Sequence, residues 1–324
     1  MWLVVAVLAV YHAIASWREN QQTPPGQFID IDGDRLHLWH VRSPHPEASL
    51  RPKIIIEHSL GGVEGYLLVQ KMAELADVCI CDRAGYGWSD ISKKVMTSEE
   101  RMRSLNLALS QANIQPPYIL VGNSLGSYHM RLFAHTFPEK VVGLVLTDGL
   151  HEKALLKMPR SLRCLQALFF AGFIMSIAGS ALGFVRLAGM SGLFSLLKPE
   201  LKSFSKAERQ PVLRSFYRPK HWFTMAREIC QIDTCGQQLK VANDLGCLPV
   251  VNVKARYFFK PTGWMRCLPL ATVEQLRDAM HRDLMTLSSR CVQLKAAQSS
   301  HFVWTDQPKL IFDAVQMILA DSAR

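Results

Sequence analysis

Short apolar runs alternate along the chain with segments of helical periodicity. Uninterrupted apolar runs predict buried strands at residues 53–57, 78–81, 119–121 and 141–147. Each of the first three runs is followed by a segment of helical pattern, at residues 66–75, 98–113 and 128–137 respectively. Strands that are apolar throughout are typical of a parallel sheet with helices on both faces. The pattern therefore predicts an α/β fold with a mostly parallel, doubly wound sheet.

Two features bound this core. Residues 27–31 and 35–42 alternate apolar and polar positions around Asp32-Gly33-Asp34, which predicts an antiparallel hairpin at the sheet edge. From residue 151 to about 245 the pattern is helical only, and the strand–helix rhythm resumes with a strand at 248–253, a helix at 271–287, a strand at 290–296 and a helix at 308–319. We therefore predict a core of residues 27–150 and 246–324, with a helical cap at 151–245.

The amino-terminal segment is apolar from residue 2 to 15, and it is shorter than the ~20 residues of a spanning helix. Ala13-Ile14-Ala15 has the small-x-small pattern of a signal peptidase site, but the chain lacks a cationic region before it. A retained membrane anchor, a cleaved signal and a helix packed on the fold are all compatible with this pattern. The protein is accordingly expected to be membrane-associated, or secreted or periplasmic if the segment is a cleaved signal. A linker at 20–26, with Pro24 and Pro25, ends the segment.

A second apolar stretch lies in the predicted cap, where residues 164–185 carry no charge. A transmembrane span is one interpretation of it. Gly172, Gly179 and Gly183 weaken a helix there, and a span would divide the sheet, so an apolar lid helix is favoured.

The charge balance favours an anionic surface as a partner. The formal net charge is +10, and basic residues are densest between Lys198 and Lys220. The chain has no zinc-knuckle, RNP or helix-turn-helix signature, so no nucleic acid is expected, and an anionic membrane surface is the better candidate. Together with the apolar insertion, this predicts a lid at about 164–197 that covers an apolar pocket and rests near lipid.

The eight cysteines form no C-x-x-C pair, and no histidine cluster has metal-ligand spacing. We therefore expect neither a metal nor a cofactor. Cys230 and Cys235 are close enough in sequence to form a disulfide in an oxidising compartment.

The strongest chemical signal is Gly122-Asn123-Ser124-Leu125-Gly126, a G-x-S-x-G pattern between an apolar strand and a helix. A serine at the end of a buried strand points away from the sheet only if the backbone turns sharply, and glycines on both sides permit this turn. The helix that follows directs backbone N–H groups at the position where an oxyanion would form.

With this motif, three further segments resemble the α/β-hydrolase fold in its form with a helical cap after the sixth strand. The segments are Asp82-Arg83-Ala84-Gly85-Tyr86-Gly87-Trp88-Ser89, Gly143-Leu144-Val145-Leu146-Thr147-Asp148, and Ser299-Ser300-His301 with Asp306-Gln307-Pro308. The resemblance extends from about residue 28 to the carboxyl terminus. Two positions depart from the family pattern: Asn123 stands where histidine or glutamate is usual, and Ser59 stands where the oxyanion turn usually has glycine.

The resemblance implies a catalytic triad. Ser124 is the expected nucleophile and His301, in a polar loop after the last strand, is the expected base. The residues from 254 to 273 include no acidic side chain, so the loop after the seventh strand offers no carboxylate. Asp148, at the end of the sixth strand, is therefore the expected acid, with a turn-capping role as the alternative and Glu152 and Asp244 as the next candidates.

The backbone N–H groups of Leu60 and Leu125 are the expected oxyanion donors.

These residues predict a serine hydrolase that cleaves an ester, or an amide, through an acyl-enzyme. Its expected substrate is a small or lipid-like apolar ester. A serine nucleophile argues against dehalogenase and epoxide hydrolase activity, because those relatives use a carboxylate in its place. The alternative is a catalytically silent member of this fold that binds ligands or membranes, which the departures at Asn123 and Ser59 allow.

Overall fold

A computed structural model describes residues 2–193, 201–202, 204–259 and 268–322 of the 324-residue chain. Within these residues eight strands form one sheet: β1 (Gln27–Ile31), β2 (Asp34–Val41), β3 (Lys53–Glu57), β4 (Val78–Cys81), β5 (Tyr118–Asn123), β6 (Val141–Thr147), β7 (Val250–Ala255) and β8 (Cys291–Ala296). Their order is β1-β2-β4-β3-β5-β6-β7-β8. The pairs β1–β2 and β2–β4 are antiparallel, and all other pairs are parallel. The predicted α/β class and the edge hairpin are both confirmed.

The helices of the core cover both faces of this sheet. They are α2 (Pro46–Ser49), α3 (Val69–Met72), α4 (Ser98–Gln111), α5 (Gly126–Thr136), α11 (Leu270–Leu284), α12 (Val303–Asp306) and α13 (Lys309–Ser322). Alternate side chains of β3 enter opposite apolar layers: Ile55 packs with residues of α4 and α5, whereas Ile54 and Ile56 pack with α3 and α13. The doubly wound arrangement follows from this period-2 alternation of buried side chains.

One predicted helix is broken. The segment expected as a helix over 66–75 consists of a 3-10 turn at Glu64–Leu67 and the single α-helical turn α3. Val69 and Met72 are buried under the sheet. The apolar pattern thus marked burial correctly, but the segment is too short to show a helical period.

Between β6 and β7 the described chain is helical, as the pattern predicted. The helices are α6 (Glu152–Leu155), α7 (Arg160–Ala181), α8 (Phe184–Met190), α9 (Lys206–Phe216) and α10 (Pro219–Gln238). Gly172 and Gly179 lie inside α7, while Gly183, at φ 85°, separates α7 from α8. Lys198 and the end of the predicted lid lie outside the described residues, as does Cys267. Cys230 and Cys235 are free thiols on α10, so the possible disulfide is absent.

Among the described helices, α7 alone is long and apolar enough to cross a membrane, judged by length and composition only. Its mean hydropathy reaches 1.7, and only 6% of its most apolar window is buried. The helix is therefore not a core helix of the fold.

The amino-terminal segment is a helix, α1 (Trp2–Asn20), which is longer than the predicted apolar stretch. It lies against the helices that follow β6: Tyr11 contacts Met190 of α8, and Glu19 pairs with Arg186 and Arg218. The chain then reaches β1 through residues 21–26.

Candidate active site

Ser124 occupies a sharp turn between β5 and α5. Its φ is 50°, a left-handed conformation that is costly for a residue with a Cβ. The turn brings chain segments into close contact: a Cβ at Gly126 would lie 2.5 Å from the carbonyl oxygen of Glu57, and one at Gly122 would lie 2.7 Å from that of Gly126. Both glycines are therefore required for this backbone path, and the turn has the geometry of a nucleophile elbow.

The structure brings Ser124, Asp148 and His301 to the wall of one cavity of about 350 Å³. Asp148 directly follows β6 and His301 lies in the loop between β8 and α12, so both emerge at the same sheet edge as Ser124. His301 Nδ1 lies 2.6 Å from Asp148 Oδ2. The ring of Phe258 stacks on the imidazole at a centroid distance of 4.3 Å. The orientation of the imidazole is thus maintained by a carboxylate at Nδ1 and by an aromatic ring stacked on its face.

The other oxygen of Asp148 accepts three hydrogen bonds. Its donors are the backbone N–H of Ala255 at 3.1 Å, Arg277 Nη1 at 2.8 Å and His281 Nε2 at 3.0 Å. Burial alone would raise the pKa of Asp148, but the hydrogen bonds from His281 and His301 and the charges around it hold the pKa well below its usual value. Asp148 is therefore the anionic partner of His301 at neutral pH.

The contacts of His281 define its protonation. Its Nε2 faces Asp148, and its Nδ1 lies 3.0 Å from the side-chain amide of Asn252. Burial lowers the pKa of His281, so the neutral ring carries one proton, which a carboxylate partner places on Nε2. Nδ1 must then accept. The structure places Asn252 Oδ1 at this nitrogen, and turning the amide by 180° would present its NH₂ group there and would also give a partner to the buried Nδ2 of Asn252.

Arg277 and His281 contact Asp148 but were not predicted from the sequence. A histidine on a predicted helix is by default an ordinary buried or exposed residue, and His281 is one of several in this chain. A signal is nevertheless present in the spacing: Glu274, Arg277 and His281 recur every three or four residues, so they share one face of α11. Glu274 in turn binds Arg277 and accepts a hydrogen bond from the backbone of Phe258. The stripe connects Asp148 to the segment that stacks on His301.

The turn after β3 lines the same cavity as Ser124, through Ser59 and Leu60. Within the described part of the chain, neither Leu60 nor Leu125 donates its backbone N–H to another group, so both donors are available to a ligand. The side chain of Arg83 holds this turn by donating to the carbonyls of His58 at 2.9 Å and Ser59 at 2.6 Å. It also pairs with Glu228 of α10, so the same guanidinium joins the turn to the helices above it.

The two departures from the family pattern have structural partners. The hydroxyl of Ser59 donates to Glu64 at 2.9 Å, which directs it along the turn. Asn123 accepts a hydrogen bond from Thr147 of β6, whose hydroxyl accepts one from the indole of Trp304. Asn123 is thus buried and hydrogen-bonded to the neighbouring strand.

The cavity wall beyond these polar groups is almost wholly apolar. The side chains that form it come from α6, α7, α10, α11 and the segments beside them, and they include Leu155, Leu162, Leu165, Phe169, Phe173, Ile229, Ile232, Val273, Leu276 and Met280. Such a wall suits an uncharged, apolar group next to Ser124.

Comparison with known proteins agrees with this architecture. A family model described as alpha/beta hydrolase fold matches residues 52–165. The uncharacterized protein YbdG of Bacillus subtilis (strain 168) is 23% identical over 127 residues, which are 38% of this chain and 37% of YbdG. The matched regions span between 14% and 49% of the lengths of the curated relatives.

Solved structures resemble nearly the whole chain. Cfl2 from Burkholderia cenocepacia has a TM-score of 0.64 and 19% identity, over 90% of this chain and 95% of its own. An enol-lactonase from Burkholderia xenovorans LB400 has a TM-score of 0.59 and 16% identity, over 91% of this chain and 100% of its own. At these identities the similarity shows the common fold.

Proposed function

Because the chain belongs to the α/β-hydrolase fold family, we propose that it is a serine hydrolase that cleaves an ester of an apolar acid through an acyl-enzyme. The observation that carries the proposal is the strained Ser124, which shares a cavity with a histidine hydrogen-bonded to a buried carboxylate. Strain at one residue persists only when the surrounding structure maintains it, and it is concentrated at functional sites. The similarity to an enol-lactonase, whose name specifies an ester substrate, supports the ester over the amide.

In the proposed reaction, Ser124 Oγ attacks the ester carbonyl while His301 Nε2 takes its proton. The N–H groups of Leu60 and Leu125 stabilise the oxyanion that forms. His301 then gives the proton to the departing alcohol, and the acyl group remains on Ser124. Water, deprotonated by His301, releases the acid and restores the serine. Throughout, Asp148 holds the Nδ1–H of His301 and stabilises the imidazolium.

The apolar wall is proposed to hold the acyl chain. In this proposal the helices between β6 and β7, residues 151–245, form a cap over the core, and α7 supplies Leu165, Phe169 and Phe173 to the cavity. Each buried methylene contributes about 0.8 kcal/mol, so kcat/KM should rise up to about fourfold per added carbon until the cavity is full. A series of p-nitrophenyl esters of increasing chain length measures this dependence.

The direct test is covalent labelling with a fluorophosphonate probe. We expect the folded protein to be labelled at Ser124, because the probe reacts only with a serine that a neighbouring base activates. The Ser124→Ala variant is the control and should remain unlabelled. Folded protein that does not react would favour the alternative, a catalytically silent binding protein of the same fold.

A second test concerns the cavity. Replacing Leu165 by tryptophan should fill part of it and lower kcat/KM for long-chain esters by about tenfold or more relative to acetate. Leu168→Trp is the matched control, because Leu168 lies on the same helix but is 62% exposed. If the two variants have the same chain-length profile, the acyl group does not bind along α7.

A further inference from the structure

Helix α1 has its polar residues inside and its apolar residues outside. His12 and Ser16 are buried, and Glu19 follows on the same face of the helix. The outward side chains are apolar and mostly exposed; Trp2 is 80% exposed and Val7 61% exposed, and Val10, Ile14 and Trp17 continue the same surface. A helix on a protein surface in water normally has the opposite pattern. The medium outside α1 is therefore expected to be apolar.

The inward residues fasten α1 to the fold. Arg186 of α8 is 5% exposed, and its guanidinium bonds to Glu19, Ser16 and His12. Arg218 donates to Glu19 and to the carbonyl of Ser16. Removing α1 would take away the shared carboxylate partner of Arg186 and Arg218 and uncover the side chains beneath the helix. Helix α1 is thus part of the folded unit, which argues against its removal as a signal.

The apolar surface continues from α1 onto α7 and α8. A Cβ at Gly183 would lie 2.9 Å from the carbonyl oxygen of Leu8, so the turn between these two helices packs directly on α1. Exposed apolar side chains continue from there on α7, at Met175, and on α8, at Phe184, Leu187 and Met190. We call the outward side chains of α1, α8 and the end of α7 the apolar platform. No charged residue lies between Cys164 and Val185, and Arg186 is turned inward.

Cations lie at one edge of this platform. Arg18 is exposed in the last turn of α1. Lys206 is exposed on α9, one helical turn from Gln210, whose amide reaches Gln22 just beyond α1. An uncharged surface with tryptophan and tyrosine, bordered by basic side chains, is complementary to the acyl region and anionic headgroups of a lipid bilayer.

We propose that the apolar platform binds the surface of an anionic lipid bilayer, with α1 and the outer side of α7 and α8 lying in the interface. A crossing α7 is inconsistent with its position, because its other side forms the wall of the catalytic cavity. In this arrangement one helix separates the lipid from the acyl-binding wall. An apolar ester then has a short path from the bilayer to Ser124, a consequence that rests on the proposed function.

Flotation of the full chain with vesicles tests this proposal. We expect the protein to float with vesicles of phosphatidylcholine and phosphatidylglycerol, and less with phosphatidylcholine alone. The double variant Val7→Glu/Ile14→Glu should weaken binding by about tenfold or more, since two apolar side chains no longer enter the lipid. Leu50→Glu is the matched control. Leu50 is 87% exposed, but it lies in the segment before β3 and is not part of the apolar platform. This control should bind as the unmodified chain does.

Thermal unfolding without lipid should be similar for all three proteins, because the replaced side chains are exposed. Failure of the unmodified chain to float at low ionic strength would overturn the proposal, as would normal flotation of the double variant. A lipid-free dimer that the double variant dissociates, with no binding to vesicles, would assign the platform to a second copy of the chain instead. The Ser124→Ala variant should float normally, so this result is independent of the catalytic proposal.

Discussion

Replacing Asp148 by asparagine is expected to lower kcat about ten-thousand-fold while leaving the fold in place. Asp148 adopts a φ of 41°, and asparagine is one of the few residues that tolerate this region. The backbone at the end of β6 should therefore be preserved. The loss should appear in turnover, because in the proposed reaction the carboxylate acts when His301 gains a proton and not when substrate binds.

The contacts of the two carboxylate oxygens predict how the asparagine amide would be oriented. Oδ1 accepts from Ala255, Arg277 and His281, whereas within the described residues Oδ2 has His301 as its one partner. The amide oxygen must stay with the three donors, so the amide NH₂ group would face His301. Nδ1 of His301 would then have to accept, and its proton would move to Nε2. A histidine in that tautomer cannot take the proton of Ser124.

The measurement is kcat for a p-nitrophenyl ester, with circular dichroism as the check on folding. Asp244→Asn is the matched control: Asp244 caps Gly246 in an exposed loop, and its replacement should leave kcat unchanged. Glu152, the other candidate acid, is engaged with Arg131. Near-normal turnover of the Asp148 variant would contradict the proposed role of Asp148. Glu152 and Asp244 would then be the next candidates for the catalytic acid.

The sheet could be predicted from the sequence, because each buried strand is an apolar run and a helix or a glycine turn follows it. The sequence was also sufficient to place Ser124, Asp148 and His301 at one edge, since the carboxyl ends of parallel strands meet there. Arg277 and His281 could not be predicted, because they lie on α11, which follows β7, whereas Asp148 follows β6. Only the packing of α11 against β7 brings them near, and local sequence does not encode that distance.

The orientation of α1 was missed for a related reason. Its composition predicts an apolar helix, but composition does not say which side faces the protein. His12, Ser16 and Glu19 mark the inward side, and their partners lie about 170 to 200 positions further along the chain. A polar stripe in an apolar helix becomes informative only when the buried arginines opposite it are known.

The second large effect is expected at Glu57, the last residue of β3. Its side chain is fully buried, and its two oxygens accept from Arg83 at 2.9 Å, Arg101 at 2.6 Å and His129 at 3.1 Å. Burial alone would raise the pKa of Glu57, but the charge of Arg101, the hydrogen bond from His129 and the charge of Arg83 hold the pKa well below its usual value. Glu57 is therefore a buried anion that serves as the counter-charge of two buried cations, Arg83 and Arg101.

Glu57→Gln should lower the free energy of unfolding by about 3 to 5 kcal/mol, because it leaves the guanidinium groups without their shared counter-charge. Urea unfolding at neutral pH measures this change. The pH dependence has a definite sign: a depressed pKa in the folded state stabilises the protein above the unfolded value, and that stabilisation is lost as pH falls through the folded value. The variant should therefore lose less stability than the unmodified protein on acidification.

A second substitution separates the charge effect from a packing defect. Among the described residues Arg101 has Glu57 as its one carboxylate partner, whereas Arg83 also pairs with Glu228. In the double variant Glu57→Gln/Arg101→Met the unpaired cation is removed, so part of the lost stability should return. A double variant less stable than Glu57→Gln by the full cost of Arg101→Met alone would show that the two residues act independently. In that case the stabilisation at Glu57 would come from its contacts with Arg83 and His129.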